Sequence, residues 1–197
     1  MQERIQPPSD GFTFEQFVAL VADRPDHERW ELIEGVIELN PTPVDLHQMI
    51  VSNVMFELTT IQRKSDAAWM VLPGLGINLP SDKRNAPAPD VLMRPFPLSG
   101  TSYCVDPLAV FEVLSPSTRR KDLTSKRAYY TKLGTLQHYV VIEPRKALVR
   151  HFARETQWRE QALKQPLDVL AFAGLDVQIS LANIYRGTDV ILGGSPV

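Results

Sequence analysis

The sequence predicts a mixed α/β fold whose core runs helix, three strands, helix, strand, and three observations predict it. The first is the run Pro107-Leu108-Ala109-Val110-Phe111-Glu112-Val113-Leu114-Ser115-Pro116, rich in Val and Phe between two prolines, which reads as a buried central strand. The second is a pair of stretches, about Leu46 to Gln62 and Thr118 to Leu133, in which apolar residues recur at helical spacing. The third is a set of short β-prone runs, bounded by Pro, Gly and Asp, that fill the interval between those stretches and follow the second. A chain of 197 residues, 44% apolar and 22% charged, can bury one real core. We therefore expect a flexible arm over residues 1–12, a single domain over 13–192, and a frayed tail over 193–197.

In chain order, Thr13 can cap a helix through Ala22, with Glu15 and Gln16 in its first turn and Phe14, Phe17, Val18 and Val21 on one side. Trp30 to Leu39 forms two short β-prone runs about Glu34-Gly35, which predicts a hairpin whose three glutamates are mostly solvated. After Pro41-Thr42-Pro43, Asp45 can cap the helix from Leu46, whose stripe is Ile50, Val54, Leu58 and Ile61. His47 falls on that stripe and reads as a hydrogen-bonded core residue. Residues 68–79 carry two apolar runs about Pro73-Gly74-Leu75-Gly76, with no following lysine to make a phosphate loop. Pro89-Asp90 then opens another strand, since proline is tolerated at a strand's start. Ser117 or Thr118 can cap the second long helix, with Gly134 as its stop. Gln137 to Ile142 and Ala147 to Phe152 read as strands, and Trp158 to Leu163 and Leu167 to Phe172 as further sheet.

The net charge of −2, from 21 Lys and Arg against 23 Asp and Glu, supplies no global basic field, so any nucleic-acid binding must rest on a local patch. Cys104 is the single cysteine, which excludes an internal disulfide and a cysteine zinc site. Residues 1–11 are polar and proline-containing with no apolar core, and nowhere do 18 apolar residues run uninterrupted, so a cytoplasmic protein without a membrane is expected.

Three residues break these patterns. Strand side chains alternate, so Glu112 shares a face with Leu108, Val110 and Leu114. A buried carboxylate must be protonated, paired or metal-bound; the alternative is one that emerges at the strand end to meet water or an arginine. Lys126 lies within the stripe of Leu123, Tyr130 and Leu133, where it either snorkels, pairs with Asp122 one turn earlier, or serves a site. Asp90 stands at the mouth of a neighbouring strand. Two carboxylates on neighbouring strands can converge on a divalent cation, and oxygen-only ligation suits magnesium or manganese. With a lysine beside it, such a cation could polarise a phosphodiester and activate water.

Five segments, in order from Phe14 to about Phe152, carry a family resemblance. Trp30-Glu31-Leu32-Ile33-Glu34-Gly35 looks like a YELIDG segment, Ala88-Pro89-Asp90-Val91 like PDV, and Phe111-Glu112-Val113-Leu114-Ser115-Pro116-Ser117-Thr118 like VEVLSPST. Asp122-Leu123 with Lys126 and Tyr130 resembles the DL, K and Y that follow, and His138 to Pro144 resembles EYWLVDP. Together they resemble the PD-(D/E)-x-K nuclease superfamily and, within it, the bacterial Uma-type restriction endonuclease family. The resemblance implies a restriction-endonuclease-like αβββαβ core and a metal-dependent endonuclease acting on DNA with magnesium or manganese. It implies Asp90 and Glu112 as metal ligands, Lys126 as catalytic lysine, and Glu31 as an auxiliary acid, with Glu34 equally placed. The superfamily lysine would stand two residues after Glu112, where this chain has Leu114, so the resemblance implies that Lys126 substitutes from the helix. That departure also leaves open a catalytically inactive module for nucleic-acid binding or self-association. Arg119, Arg120, Lys121 and Arg127 join Lys126 in a nine-residue basic run that can neutralise a phosphate backbone or simply face solvent. A duplex cut is easiest with two sites, so a homodimer or higher homo-oligomer is expected.

Overall fold

The computed structural model describes residues 4–25 and 27–190. Its elements, in order, are β1 (Arg4–Ile5), α1 (Phe14–Val21), β2 (Arg29–Ile33), β3 (Val36–Asn40), α2 (Asp45–Ser65), β4 (Trp69–Pro73), β5 (Gly76–Ile77), β6 (Val91–Pro95), β7 (Tyr103–Cys104) and β8 (Ala109–Val113). There follow α3 (Arg119–Leu123), α4 (Ser125–Tyr130), β9 (His138–Ile142), β10 (Val149–Ala153), β11 (Glu160–Leu163), β12 (Val169–Phe172), β13 (Val177–Ser180) and α5 (Leu181–Ile184).

The centre is a six-stranded sheet of order β11-β10-β9-β8-β6-β4. Its strands are antiparallel except for the parallel pair β8 and β9, which α3 and α4 connect. The αβββαβ core is thus α2, β4, β6, β8, α3 with α4, and β9. Alternation along β8 sorts the layers: Ala109, Phe111 and Val113 pack against α2, β12, β13 and α5, whereas Val110 and Leu114 meet Tyr129, Tyr130 and Leu133 on the other face. The α2 stripe of Ile50, Val54 and Leu58 is fully inside, each side chain contributing about 1.5–3 kcal/mol. A second, smaller sheet of order β1-β3-β2 lies with α1. Among the described residues, no helix is long and apolar enough to cross a membrane.

Several expectations change. The arm expected over residues 1–12 contains β1, whose Ile5 pairs with Ile37 of β3; the expected tail at 193–197 lies outside the described residues. Asp45 is the first residue of α2 and not its cap; Val44 caps without a side-chain bond, and the Asp45 carboxylate accepts from the Leu46 amide at 2.7 Å. The helix expected over 118–133 breaks in two at Thr124. The Thr124 hydroxyl donates to the Arg120 carbonyl at 2.6 Å, so its own amide turns to Lys121 instead. The hairpin turn has positive φ at Glu34 and Gly35, the type I′ geometry that matches strand twist. Two of its three glutamates, Glu31 and Glu38, are buried, contrary to expectation. The short β5, β7, β13 and α5 fall below the length at which periodicity is readable.

The thirteenth residue caps α1 as expected, its hydroxyl accepting from Gln16 while Gln16 returns a bond to the Thr13 amide. Away from this end, His138 and His151 share a buried contact of 3.1 Å between Nδ1 and Nε2, and His138 stacks on Phe172. Burial, then the His138 charge, pushes His151 down to about 4, and burial lowers His138. Depressed folded values mean that the unfolded chain binds protons first. Stability is therefore present above about pH 6.5 and lost as pH falls towards 4, by up to about 3 kcal/mol for His151. Urea unfolding of His151→Leu should show a shallower decline than the parent over that window; parallel curves would reject the assignment.

Candidate active site

The antiparallel register pairs Leu92 with Val110 and Val91 with Phe111, so the next residues outward, Asp90 and Glu112, stand opposite each other at the sheet's end. Both are buried and both line one cleft of about 940 Å³. Residues from β2, the turn before α2, the β8 end and the Gly187–Val190 segment complete its walls.

Asp90 Oδ2 accepts from the Val113 amide at 2.8 Å and lies 3.2 Å from His47 Nε2, while Oδ1 lies 3.5 Å from Arg29 Nη1. Burial alone would raise its pKa, but the His47 hydrogen bond and charge, the Val113 amide and Arg29 hold the carboxyl below its usual range. Glu112 takes the opposite direction: burial pushes it well above the usual range, and the Lys126 charge only partly offsets this. Its Oε1 accepts from Lys126 Nζ at 3.1 Å and from Tyr130 Oη at 2.9 Å. Oε2 has no hydrogen bond among the described residues.

Lys126 is the hub. Its ammonium also lies 2.9 Å from Glu31 Oε1 and 3.3 Å from Asp122 Oδ1. Burial works against the charge, yet Glu112, Glu31 and Asp122 outweigh it and raise the pKa well above the ordinary lysine value. The break at Thr124 leaves Asp122 and Lys126 both buried, one on each short helix. Glu31 is held in turn by the Ala88 amide at 2.7 Å and Asn40 at 2.8 Å. In the hairpin, Glu31 stands directly opposite Glu38, a costly like-charge pair. The crossover compensates it with two lysines, Lys126 on Glu31 and Lys121 on Glu38. Glu34, the other acidic candidate, is exposed in the turn and meets Ser125 at 3.1 Å.

Asp90, Glu112 and Lys126 therefore line one cleft, with Glu31 behind Lys126. The basic run is dispersed. Arg119 makes a bidentate pair with Glu143 at 2.5 and 2.6 Å, Lys121 pairs with Glu38, and Arg127 donates to the Trp158 carbonyl while lying 4.2 Å over the Phe152 ring. Arg120 is exposed and forms no ion pair among the described residues. Sequence reasoning missed Arg29, which has no local anomaly, and assigned His47 to packing although it contacts Asp90.

Among the described residues, no group of three His, Cys, Asp or Glu side chains is arranged as a metal cage. Magnesium keeps several waters and is commonly bound by one or two carboxylates, so Asp90 and Glu112 with the uncommitted Oε2 suit a hydrated hard cation.

A family model, Uma2, described as "Putative restriction endonuclease", matches residues 14–182. The fold is similar to a 1.96 Å crystal structure of "a putative nuclease belonging to DUF820" from Anabaena variabilis ATCC 29413. That likeness has a TM-score of 0.74 and 19% identity, covering 88% of this chain and 97% of the other. No curated protein matches.

Proposed function

We propose, from the premise that the chain belongs to the Uma2 restriction endonuclease family, that it is a metal-dependent endonuclease hydrolysing DNA phosphodiester bonds. The observation that carries the reading is the opposition of Asp90 and Glu112 in register over one cleft, with a buried lysine bonded to the second carboxylate. Asp90 and Glu112 would hold a magnesium or manganese ion, which supplies charge stabilisation at the phosphate and a water of lowered pKa.

The remaining work falls to the chain's own residues. The charges of Glu112, Glu31 and Asp122 favour the protonated form of Lys126, which suits an electrostatic role. Lys126 holds the Glu112 carboxylate through Oε1 and sets a fixed positive charge at the cleft floor, where it offsets charge developing on the phosphate. Glu31 and Asp122 orient Lys126 and keep it charged, which makes them positioning residues. Tyr130 stays protonated because burial and the adjacent Glu112 raise its pKa, and it donates the second bond to Oε1. Arg29 and Arg145 line the cleft as cations for the substrate backbone, with Arg120 outside it. DNA is the substrate in this reading, the compartment is the bacterial cytoplasm, and a double-strand cut calls for a homodimer.

A second reading, a non-catalytic module of the same fold, is favoured by the pairing of every buried acid of the cluster with an internal cation, Arg29 on Asp90 and Lys126 on Glu31, Glu112 and Asp122, and by Leu114 in the superfamily lysine's place. Thermal unfolding with added magnesium or manganese separates the two, since an ion bound only by the folded state stabilises it by about 2.7 kcal/mol at a hundred times its Kd. The nuclease reading expects a rise in Tm that EDTA reverses. An unchanged Tm up to millimolar metal would favour the module.

A further inference from the structure

We infer that the outer face of α2 docks a second copy of this chain, the two helices packing antiparallel about a two-fold axis level with Val54. The interface gives the homodimer of the proposed function a surface, and it stands on the helix face whatever the cleft does.

α2 turns His47, Ile50, Val54 and Leu58 inward. The opposite side of such a helix is ordinarily charged. Here the sequence from Leu46 to Gln62 carries a single Asp, Glu, Lys or Arg, which is Glu57. Phe56 is 69% exposed and Met49 44%. Large apolar side chains scattered singly over a surface need no partner, but these two fall on one line of one helix.

That line has a period. Asp45, Met49, Ser52, Phe56, Thr59 and Arg63 follow one another at alternating steps of four and three residues, the repeat that holds one seam of a helix against a partner. Thr59 is half-buried and the other five are exposed. The seam is about 27 Å long at 1.5 Å per residue.

The seam is also its own complement. An antiparallel copy with Val54 level with Val54 sets Asp45 against Arg63, Met49 against Thr59 and Ser52 against Phe56, each pair occurring twice. Every layer joins an acid to a base or a large side chain to a small one. Parallel packing would set Asp45 on Asp45 and Phe56 on Phe56, and would align the two helix dipoles. An acid in the first turn and Arg63 with Lys64 in the last also suit a lone helix, so charge order by itself does not choose a partner. The choice comes from one register satisfying all three layers. Such a contact is isologous and closes at two copies. It also brings Arg63 of the second copy to the rim of the cleft, whose wall includes Asp45 and Met49.

The test is sedimentation velocity of the full chain at micromolar concentration, where the parent is expected to be a dimer. Phe56→Glu, with parental circular dichroism, is expected to raise the dimer Kd at least about thirtyfold. Asp45→Lys and Arg63→Glu, each alone, set like charges together and are expected to weaken the dimer about tenfold or more. Mixing these two single variants is expected to restore it, because one end of the mixed pair joins the two reversed charges and the other keeps the parental Asp45 and Arg63. A monomeric parent, a dimer that Phe56→Glu leaves intact, or a mixture no better associated than its components overturns the inference. Should Phe56→Glu fail to fold, the mixture decides. None of these results bears on the nuclease reading, which DNA cleavage tests separately.

Discussion

Lys126→Met lowers the stability of the fold by about 3–5 kcal/mol at pH 8, because it leaves Glu31, Glu112 and Asp122 buried without their shared cation. The loss has a pH signature. In the parent, the raised lysine pKa means that its contribution is fully present below the ordinary lysine value of about 10.4 and is lost only in stronger alkali. In the variant Glu112 and Asp122, whose folded pKa values burial already raises, lose the lysine charge that partly offsets it and rise further above their unfolded values. They protonate in the folded state first, so stability recovers as pH falls from 8 towards 5 and is lost again on returning. Urea unfolding at the two pH values checks this. A deficit equal at both would mean that Lys126 stabilises through its methylenes and not through the acids.

Asp90→Asn and Glu112→Gln remove one charge each while keeping side-chain shape, and each should lower DNA cleavage by about a thousand-fold or more, some 4 kcal/mol of barrier. Neither change should unfold the protein. Gln at 112 still accepts from Lys126 and Tyr130 through its carbonyl, and Asn at 90 still accepts from the Val113 amide. Single-turnover cleavage beside circular dichroism separates lost chemistry from lost structure. A folded Glu112→Gln that cuts at the parental rate would remove Glu112 from the reaction.

How much of this was legible in the sequence depends on whether the signal was local. The central strand was visible because β8 is apolar on both faces between prolines, and α2 because Ile50, Val54 and Leu58 keep a helical period. Glu112 and Lys126 were visible as charges where the pattern demands apolar residues, and the structure brings them to 3.1 Å. The break at Thr124 was hidden, since a hydroxyl competing for the Arg120 carbonyl leaves the apolar period intact. Glu31 and Glu38 were read as solvated because alternation with Trp30, Leu32 and Ile37 suits a one-sided sheet. Nothing near them shows that a lysine-bearing crossover covers their face.

The basic run shows the same limit from the other side. Arg119 and Lys121 look like a surface made for phosphates until Glu143 and Glu38, distant in sequence, are placed against them. Charge density along a chain reports which ions are available, and pairing across the fold decides which remain so. His47 was assigned to the core on its stripe position alone. Its partner Asp90 lies on another element, and only the tertiary approach of α2 to the mouth of β6 joins them.

The measurement that tests the central claim most directly is cleavage of supercoiled plasmid by the purified full chain with magnesium or manganese, beside EDTA and the Glu112→Gln variant. The account predicts cutting that depends on the metal and disappears in both controls. A parent that leaves plasmids of several sequences intact with either metal, or cutting that persists in EDTA or in Glu112→Gln, would contradict it.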